Sequence, residues 1–278
     1  MKANQSVTMY LSYIINNSKP NTIRSFKYTL TKFSEFFSDR ELESIKEPDI
    51  IEFISSITED CSASTKNGRV SIIKSLFNFI IEITEANYLN PCLRPMIKKL
   101  FKCKKFSSPT LLESDLIDEI IYRTTNERNR LILELMARAC MRIGEVLNIR
   151  FQDINIHNST ILITEPKSGR IGEKVYLTKK LCNKLQMFIM KSDIKRSDRV
   201  FSISYSTAFR MVKKAGMIVN AVLRPHDLRR HMATQASRNN IPLEVVSKIF
   251  LRHAHMSTTE VYLGEIDSME ASTWIEQS

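Results

Sequence analysis

The sequence has no apolar run long enough to cross a membrane. Its apolar stretches fall short of the ~20 residues that a transmembrane helix needs. The N-terminal segment MKANQSVTMY also lacks the apolar centre of a secretory signal. We therefore expect no membrane partner and a location in the cytoplasm.

Cysteines are few and form no recognisable pairs. The 5 cysteines are an odd number, and no CxxC motif is present. This argues against a disulfide framework or a zinc ribbon and fits a reducing compartment. The pair His253 and His255 is the remaining hint of a metal, but a zinc site needs three or four protein ligands. We predict neither a metal nor another cofactor.

Negative charge is in the minority. The chain has 41 Lys and Arg against 30 Asp and Glu, a formal net charge of +11, and a pI near 9.4. Such a balance predicts attraction to a polyanion, most often nucleic acid, with a merely basic protein as the alternative. A length of 278 residues accommodates two domains that each bury a core. If the partner is nucleic acid, we expect the protein to be cytoplasmic and associated with the nucleoid.

The first part of the chain has the apolar periodicity of amphipathic helices. Because glycine is almost absent from it, we predict an all-helical domain over residues 1–92. The predicted helices cover residues 5–16, a segment that starts at the N-cap candidate Asn21, residues 48–56, and a segment from near Ser64 that stops by Asn90-Pro91. The basic stretch over residues 93–109, which ends in Ser107-Ser108-Pro109, is the predicted linker.

Residues 110–278 have the pattern of a mixed domain. Ser114 is a candidate cap for a helix that begins at Asp115, and a buried helical segment follows. From Arg150 the period changes to alternation, and RFQDINI, TILIT and KVYLT predict a three-stranded antiparallel sheet. Helical patterns then return to the end of the chain. The predicted fold class is mainly α with a small β-sheet (α+β).

Arg142 stands at the end of the buried segment NRLILELMARACMRIGEVLNI, where a solvated charge is not expected. A salt bridge with Glu145 is the competing explanation. A functional explanation includes that bridge, because the carboxylate would hold the guanidinium in place. Arginine suits the binding of a phosphate, since its planar fork makes two bonds to phosphate oxygens.

The last third of the chain contains His226, Arg229, His253 and Tyr262 in that order. Together with Arg142 they supply cations to hold a phosphate, imidazoles to move protons, and a phenol to attack. His226 and Arg229 are three residues apart in a helical segment, so they are expected on neighbouring turns of one side. Taken alone, Tyr262 is better explained as a partly buried aromatic residue.

These motifs resemble those of the tyrosine recombinases, the phage-integrase and Xer-type site-specific recombinases. Their signature is His-x-x-Arg, then Leu-Gly-His, then a tyrosine nine residues later. This chain has His226-Asp227-Leu228-Arg229, Leu251-Arg252-His253 and Tyr262, and the motif Gly-Met-Arg-x-x-Glu-Leu is similar to residues 140–146. Two positions depart from the pattern. Arg252 replaces a usual glycine, which could alter the turn before His253, and Cys140 stands where glycine is frequent.

The resemblance implies a mechanism. Tyr262 would attack a DNA phosphate and form a 3′-phosphotyrosyl bond without metal or ATP. Arg142 and Arg229 would neutralise the nonbridging oxygens, His226 would act as acid or base, and His253 would donate a hydrogen bond to the phosphate. Lys167 would be the hairpin lysine that protonates the leaving 5′ oxygen. Lys174 is the alternative if the hairpin register differs.

The partner implied is double-stranded DNA with a specific recombination site, bound by a dimer per site and a tetramer in synapsis. The basic side chains expected to contact phosphates are Arg24, Lys27, Lys66, Arg69, Lys74, Lys98, Lys99, Lys102, Lys104 and Lys105. Taken singly, each of those on the helices is better explained as part of a solvated face, whereas for those in the linker a solubilising role and a DNA contact are equally good explanations. Phosphate contacts would supply affinity more than specificity.

Several alternatives stay open at this stage. A type IB topoisomerase-like enzyme would share the chemistry without needing two specific sites, and a non-catalytic DNA-binding relative would share the basic helices. Xer-like dimer resolution and movement of a mobile element are both compatible with the motifs. The compact length favours the Xer-like arrangement. The C-terminal tail GEIDSMEASTWIEQS would pack on its own domain or on a neighbouring subunit.

Overall fold

The computed structural model describes residues 1–102, 112–166 and 172–253, together with Met256 and Thr259. The chain forms two compact units, Met1–Phe106 and Ser107–Ser278. Within the described residues, no helix is long and apolar enough to cross a membrane.

The first unit is all-helical. Its helices are α1 (Ala3–Asn17), α2 (Pro20–Phe37), α3 (Glu47–Ile57), α4 (Ala63–Thr84) and α5 (Pro95–Leu100). The predicted helix starts agree to within two residues. Asn21 is not the cap of α2, because Pro20 occupies the first helical position, where the fixed φ of proline suits the helix. Ser62 caps α4 by accepting a hydrogen bond from the Thr65 N–H (3.3 Å).

An aromatic cluster fills the core of the first unit. Phe33 meets Phe53 and Phe77 edge to face, with ring centroids 5.3 and 6.2 Å apart. Such contacts stabilise a core beyond the burial of apolar area alone. Ile97 and Phe101 are buried in the same core. The first part of the stretch predicted as a linker is therefore folded into the first unit.

The second unit combines helices with a small sheet. Its helices are α6 (Ser114–Arg123), α7 (Glu127–Arg138), α8 (Ile143–Asn148), α9 (Lys179–Lys191), α10 (Tyr205–Met217), α11 (Pro225–Arg238) and α12 (Leu243–Val245), which continues as a π-helical turn over Val246–Phe250. All residues from Leu131 to Ala137 in α7 are buried, and this helix packs against α6, α8, α9 and α11.

The predicted antiparallel sheet is confirmed, with strands in the order β1 (Ile154–Asn155), β2 (Thr160–Leu162) and β3 (Lys174–Tyr176). The first strand was expected over residues 150–156 and is much shorter. Phe151–Asp153 form a 3-10 turn instead, because the Asp153 carboxylate accepts a hydrogen bond from the Arg150 N–H (2.9 Å) and closes the turn.

Gly216 marks a close approach of the chain to the end of α10. A Cβ added there would lie 2.5 Å from both the Ala221 carbonyl oxygen and the Leu223 Cβ. At Gly144 in α8, an added Cβ would meet nothing within 4 Å. A side chain at Gly216 would therefore clash with its neighbours, whereas one at Gly144 would not.

Gly216→Ala should lower the free energy of unfolding of the second unit by about 1–3 kcal/mol, because the new methyl overpacks a closed site. Gly144→Ala is the matched control and should be neutral or stabilising by up to about 1 kcal/mol. Urea denaturation followed by circular dichroism measures both. Equal midpoints for the two variants would contradict the steric assignment.

Candidate active site

Arg142 lies immediately before α8, at the position that caps the helix N-terminus. Its main-chain N–H donates to Oε2 of Glu145 (2.9 Å), and its Nη1 donates to Oε1 of the same carboxylate (2.5 Å). The three-residue spacing at a helix start brings the two side chains together. The ion pair that competes with a functional role is thus present. The Arg142 side chain keeps 20% of its surface exposed, and its Nη2 makes only a long contact with the Leu251 carbonyl oxygen (3.5 Å).

Arg229 on α11 is almost fully enclosed, with 1% of its surface exposed. Its Nη1 donates to the Cys140 carbonyl oxygen and its Nη2 to the Leu251 carbonyl oxygen. Burial lowers the pKa of Arg229 to about 10, and the charges of Arg142 and Arg252 act in the same direction. The guanidinium remains protonated at neutral pH and joins two distant turns of the chain.

His226 lies in the first turn of α11, one turn before Arg229. The helix starts at Pro225, and the Asp227 carboxylate accepts a hydrogen bond from the Arg224 N–H (2.8 Å). Unlike Arg229, His226 is exposed. The predicted spacing therefore places the pair on adjacent turns, with the arginine inside and the imidazole at the surface.

His253 is buried, with 7% of its surface exposed. Its Nδ1 is 2.9 Å from Thr259 Oγ1, which in turn donates to Ser247 Oγ (2.8 Å). Burial, and then the positive charges of Arg229, Arg142 and Arg252, lower the pKa of His253 to about 4. The ring is therefore neutral at physiological pH and is held by hydroxyl groups.

Arg252 is a site residue whose role sequence reasoning did not identify. Its φ is +49°, and Cys140 has a φ of +51°. Both positions are those at which the chain departs from the glycine of the motifs it resembles, and glycine is the residue that adopts this left-handed conformation without penalty. The Arg252 side chain is 3% exposed. The only sequence signal for it was the replacement of that glycine by a long cation.

The Arg252 guanidinium points at carboxylates. Its Nη2 donates to Oε2 of Glu145 (2.6 Å), and its Nε lies 3.8 Å from Oε2 of Glu173. Burial alone would raise the pKa of Glu145, but the charges of Arg252 and then Arg142 outweigh it and hold the pKa below its ordinary value. Glu145 is therefore a carboxylate shared by two arginines.

The predicted catalytic residues divide into two groups. The structure brings Arg142, Arg229 and His253 together. Both arginines donate to the Leu251 carbonyl oxygen, and their charges, together with that of His226, act on His253. Lys167 and Tyr262 lie outside the described residues, as does His255. The alternative lysine, Lys174, is exposed at the start of β3 and pairs with Leu162 in the sheet register.

The residues predicted to contact DNA differ in their surroundings. Arg24 and Lys27 are exposed on α2, whereas Lys66 and Lys74 on α4 are half-buried. Arg69 also lies on α4, and its Nη1 donates to Thr29 Oγ1 (2.7 Å) and to the Ser25 carbonyl oxygen (3.2 Å). In this structure Arg69 therefore joins α4 to α2.

The basic residues near α5 are also accessible. Lys98, Lys99 and Lys102 are exposed, while Lys104 and Lys105 lie outside the described residues. Over the part of the chain that the structure describes, no group of three or more His, Cys, Asp or Glu side chains is arranged to hold a metal ion.

Two family models match the chain. Residues 112–268 match the phage integrase family, and residues 7–82 match the phage integrase N-terminal SAM-like domain. Tyrosine recombinase XerA of Pyrococcus horikoshii is 28% identical over 260 residues, covering 89% of this chain and 84% of that protein. A tyrosine recombinase of Pseudothermotoga lettingae is 27% identical over 276 residues, covering 95% and 93%.

Solved structures share the fold. The Tn1549 transposon integrase in complex with transposon right-end DNA has a TM-score of 0.78 at 15% identity, covering 100% of this chain and 99% of that one. The XerH recombinase bound to its difH substrate before cleavage has a TM-score of 0.70 at 21% identity, covering 93% and 80%. With the family match extending over more than half of its residues, this chain belongs to the phage integrase family of tyrosine recombinases, enzymes that break and rejoin DNA.

Proposed function

We propose that this protein is a site-specific recombinase that cleaves and rejoins DNA through a 3′-phosphotyrosyl intermediate on Tyr262, without metal or ATP. The observation that carries the proposal is the convergence of Arg142, Arg229 and His253 from three separate segments. Both arginines donate to the Leu251 carbonyl oxygen, and the charges of both act on His253. Such a cluster offers a phosphate concentrated positive charge, the task that a magnesium ion performs in other phosphoryl-transfer enzymes.

The proposed cleavage step exchanges one ester for another. The phenolic oxygen of Tyr262 bonds to phosphorus as the bond to the 5′ oxygen breaks, and the phenol proton passes to a base, for which His226 is the candidate. Lys167 gives a proton to the departing 5′ oxygen. The energy of the broken bond is retained in the phosphotyrosyl ester, so a 5′ hydroxyl of another strand can reverse the step without ATP.

The two arginines would contribute differently. Arg142 retains exposed surface and is the guanidinium available for direct bonds to a nonbridging oxygen. Both Nη atoms of Arg229 are engaged by main-chain carbonyl oxygens. Arg229 therefore acts mainly as a fixed positive charge beneath the site, where the low dielectric strengthens its effect on the developing dianion.

The protonation state of His253 determines whether the ring can donate a hydrogen bond to the phosphate. Because the Thr259 hydroxyl donates its single proton to Ser247, it must accept from the Nδ1–H of His253. In the neutral ring, Nε2 then carries a lone pair. A hydrogen bond from Nε2 to the phosphate requires a second proton on the ring, which the negative phosphate would favour.

The proposed substrate is a DNA duplex with a specific site, bound by two protomers and synapsed as a tetramer. The exposed residues Arg24, Lys27, Lys98 and Lys99 would hold its phosphates. We favour Xer-like dimer resolution over movement of a mobile element, since similar curated proteins carry Xer names and this chain spans 84% or more of the XerA and XerD proteins reported for it. A type IB topoisomerase-like activity and a non-catalytic role are the alternatives.

Tyr262→Phe should abolish covalent attachment to DNA and leave DNA binding nearly unchanged, because only the nucleophilic oxygen is removed. Purified protein is incubated with nicked suicide duplexes from its own replicon, and adducts are resolved by denaturing electrophoresis. Tyr205→Phe, at an exposed tyrosine on α10, is the control and should form the adduct normally.

Strand cleavage that persists in Tyr262→Phe would overturn the assignment of the nucleophile. Binding without any adduct in the wild type would favour the non-catalytic alternative. Efficient relaxation of supercoiled DNA without a specific site would favour the topoisomerase-like alternative.

His253→Gln should make the stability of the second unit less sensitive to acid. The pKa of the folded ring is about 4, whereas an unfolded histidine has a pKa of about 6.5. As the pH falls, the unfolded state takes up this proton first, so the stabilising contribution of the neutral ring is lost between these two values.

Urea denaturation at about pH 7 and about pH 5 measures the effect. Between these conditions the wild type should lose about 1–2 kcal/mol more than His253→Gln. His157→Gln, at an exposed histidine in the β1–β2 turn, is the control and should keep the wild-type response. An equal loss in wild type and His253→Gln would show that the ring is not kept neutral by the fold.

A further inference from the structure

Arg252 carries two free-energy costs, one from its backbone conformation and one from the burial of its charge. Its backbone is in the left-handed region, with φ of +49°, which is unfavourable for any side chain with a Cβ. Its charged side chain is also 97% removed from solvent, with 3% of its surface exposed. A buried charge is tolerated only with good partners. Glycine would avoid both costs, so the contacts that offset them must come from the partners of the Arg252 guanidinium.

The principal partner is the carboxylate that also holds Arg142. Arg252 Nη2 donates to Glu145 Oε2 (2.6 Å), while Arg142 Nη1 donates to Oε1 (2.5 Å). The carboxylate therefore bridges two guanidinium groups. With both of its oxygens bound, Glu145 cannot rotate without breaking a charged hydrogen bond.

Arg252 is itself fixed by the segment that ends at His253. Its Nη1 donates to the Phe250 carbonyl oxygen (3.0 Å), and its Nη2 lies 3.5 Å from the Cys140 carbonyl oxygen. The side chain of Glu173, just before β3, approaches Nε at 3.8 Å. The guanidinium thus connects the turn before His253 with the turn before Arg142.

The charges of the trio matter as much as its geometry. An isolated pair of Arg142 and Glu145 has a net charge of zero, and an approaching phosphate would meet a neutral group. Arg229 adds a positive charge nearby, and Glu173, 3.8 Å from Arg252, adds a negative one. Without Arg252, two arginines would therefore face two carboxylates, a net charge of zero, whereas with Arg252 the net charge is +1. The carboxylate is then neutralised from behind, so that the exposed part of Arg142 keeps its attraction for an anion.

We propose that Arg252 is a positioning residue for DNA cleavage: it locks Glu145 and compensates its charge, so that Arg142 is held in place and remains effective toward the nonbridging oxygens of the scissile phosphate. This inference rests on the proposed recombinase function. Arg252 acts through Arg142 and does not itself touch the DNA.

The test compares two substrates. One is a suicide duplex with a normal scissile phosphate, and the other carries a methylphosphonate there, in which a methyl group replaces one nonbridging oxygen and removes the charge. A neutral phosphate has less need of the Arg142 guanidinium. Single-turnover cleavage at saturating protein is measured for the wild type, Arg252→Gly, Arg252→Lys and the reference variant Arg142→Ala.

Arg252→Gly should cleave the normal duplex about 10- to 100-fold more slowly, a typical cost for losing a group that supports a direct ligand. On the methylphosphonate duplex the cleavage rate of Arg252→Gly should come within about threefold of the wild-type rate, and so should the rate of Arg142→Ala. Arg252→Lys keeps the charge without the fork and should lie between Arg252→Gly and the wild type. Asp193→Gly is the control for the effect of placing glycine at a left-handed backbone position, since Asp193 is exposed and has a φ of +48°. Its cleavage rate should match that of the wild type.

A wild-type rate for Arg252→Gly on the normal duplex would overturn the inference, and so would an equal deficit on both substrates, which signals a general structural defect. If Arg252→Gly does not fold, Arg252→Lys decides by the same comparison. A wild type that forms no adduct with either substrate would show that the proposed function fails, and the inference with it. A wild type that cleaves while Arg252→Gly is unimpaired would remove the inference alone.

Discussion

The hydrogen bonds from Arg229 to the carbonyl oxygens of Cys140 and Leu251 are the contacts on which the geometry of the site depends. Each carbonyl belongs to a turn that lies two residues before a proposed catalytic side chain, Arg142 in one case and His253 in the other. A buried guanidinium is costly without acceptors, so neither turn can move away freely. One side chain on α11 therefore determines where residues more than a hundred positions apart are placed.

The same two turns are made by residues in the left-handed conformation, and the chain uses two chemically different side chains for them. Cys140 is buried in an apolar cluster with Ala233 and Leu251, where burial raises the pKa of its thiol to about 11 and keeps it protonated. Arg252 instead finds acceptors and carboxylates. The side chain that replaces glycine is thus accommodated by apolar packing at Cys140 and by ion pairing at Arg252.

Much of the fold follows from local pattern, and much of the site does not. Apolar periodicity predicted the long helices, and the three-residue spacing suggested the salt bridge of Arg142 with Glu145 as an alternative explanation that the structure bears out. Apolar periodicity did not predict the 3-10 turn over Phe151–Asp153, because the turn is closed by the hydrogen bond from the Arg150 N–H to the Asp153 carboxylate, which the apolar pattern does not reveal. Nor did it place α5 in the first core, since the burial of Ile97 depends on helices distant in sequence.

The burial of Arg229 and Arg252 shows the same limit at the site. Sequence spacing predicted that Arg229 and His226 would occupy neighbouring turns, but only packing from Cys140 and Leu251 decides that the arginine is enclosed while the histidine stays exposed. The long-range contact between Arg252 and Glu145 spans 107 residues of sequence. No local signal encodes it.

The crowding of like charges around Glu145 also has a thermodynamic side. The lowered pKa of Arg229 reports repulsion from Arg142 and Arg252 in addition to burial, so the DNA-free site holds a surplus of positive charge that the fold must tolerate. An anion that enters the site relieves this repulsion, and a ligand that binds only the folded state stabilises it by mass action. The affinity for a phosphate and the stability of the second unit are therefore thermodynamically linked, because both depend on the same surplus of positive charge.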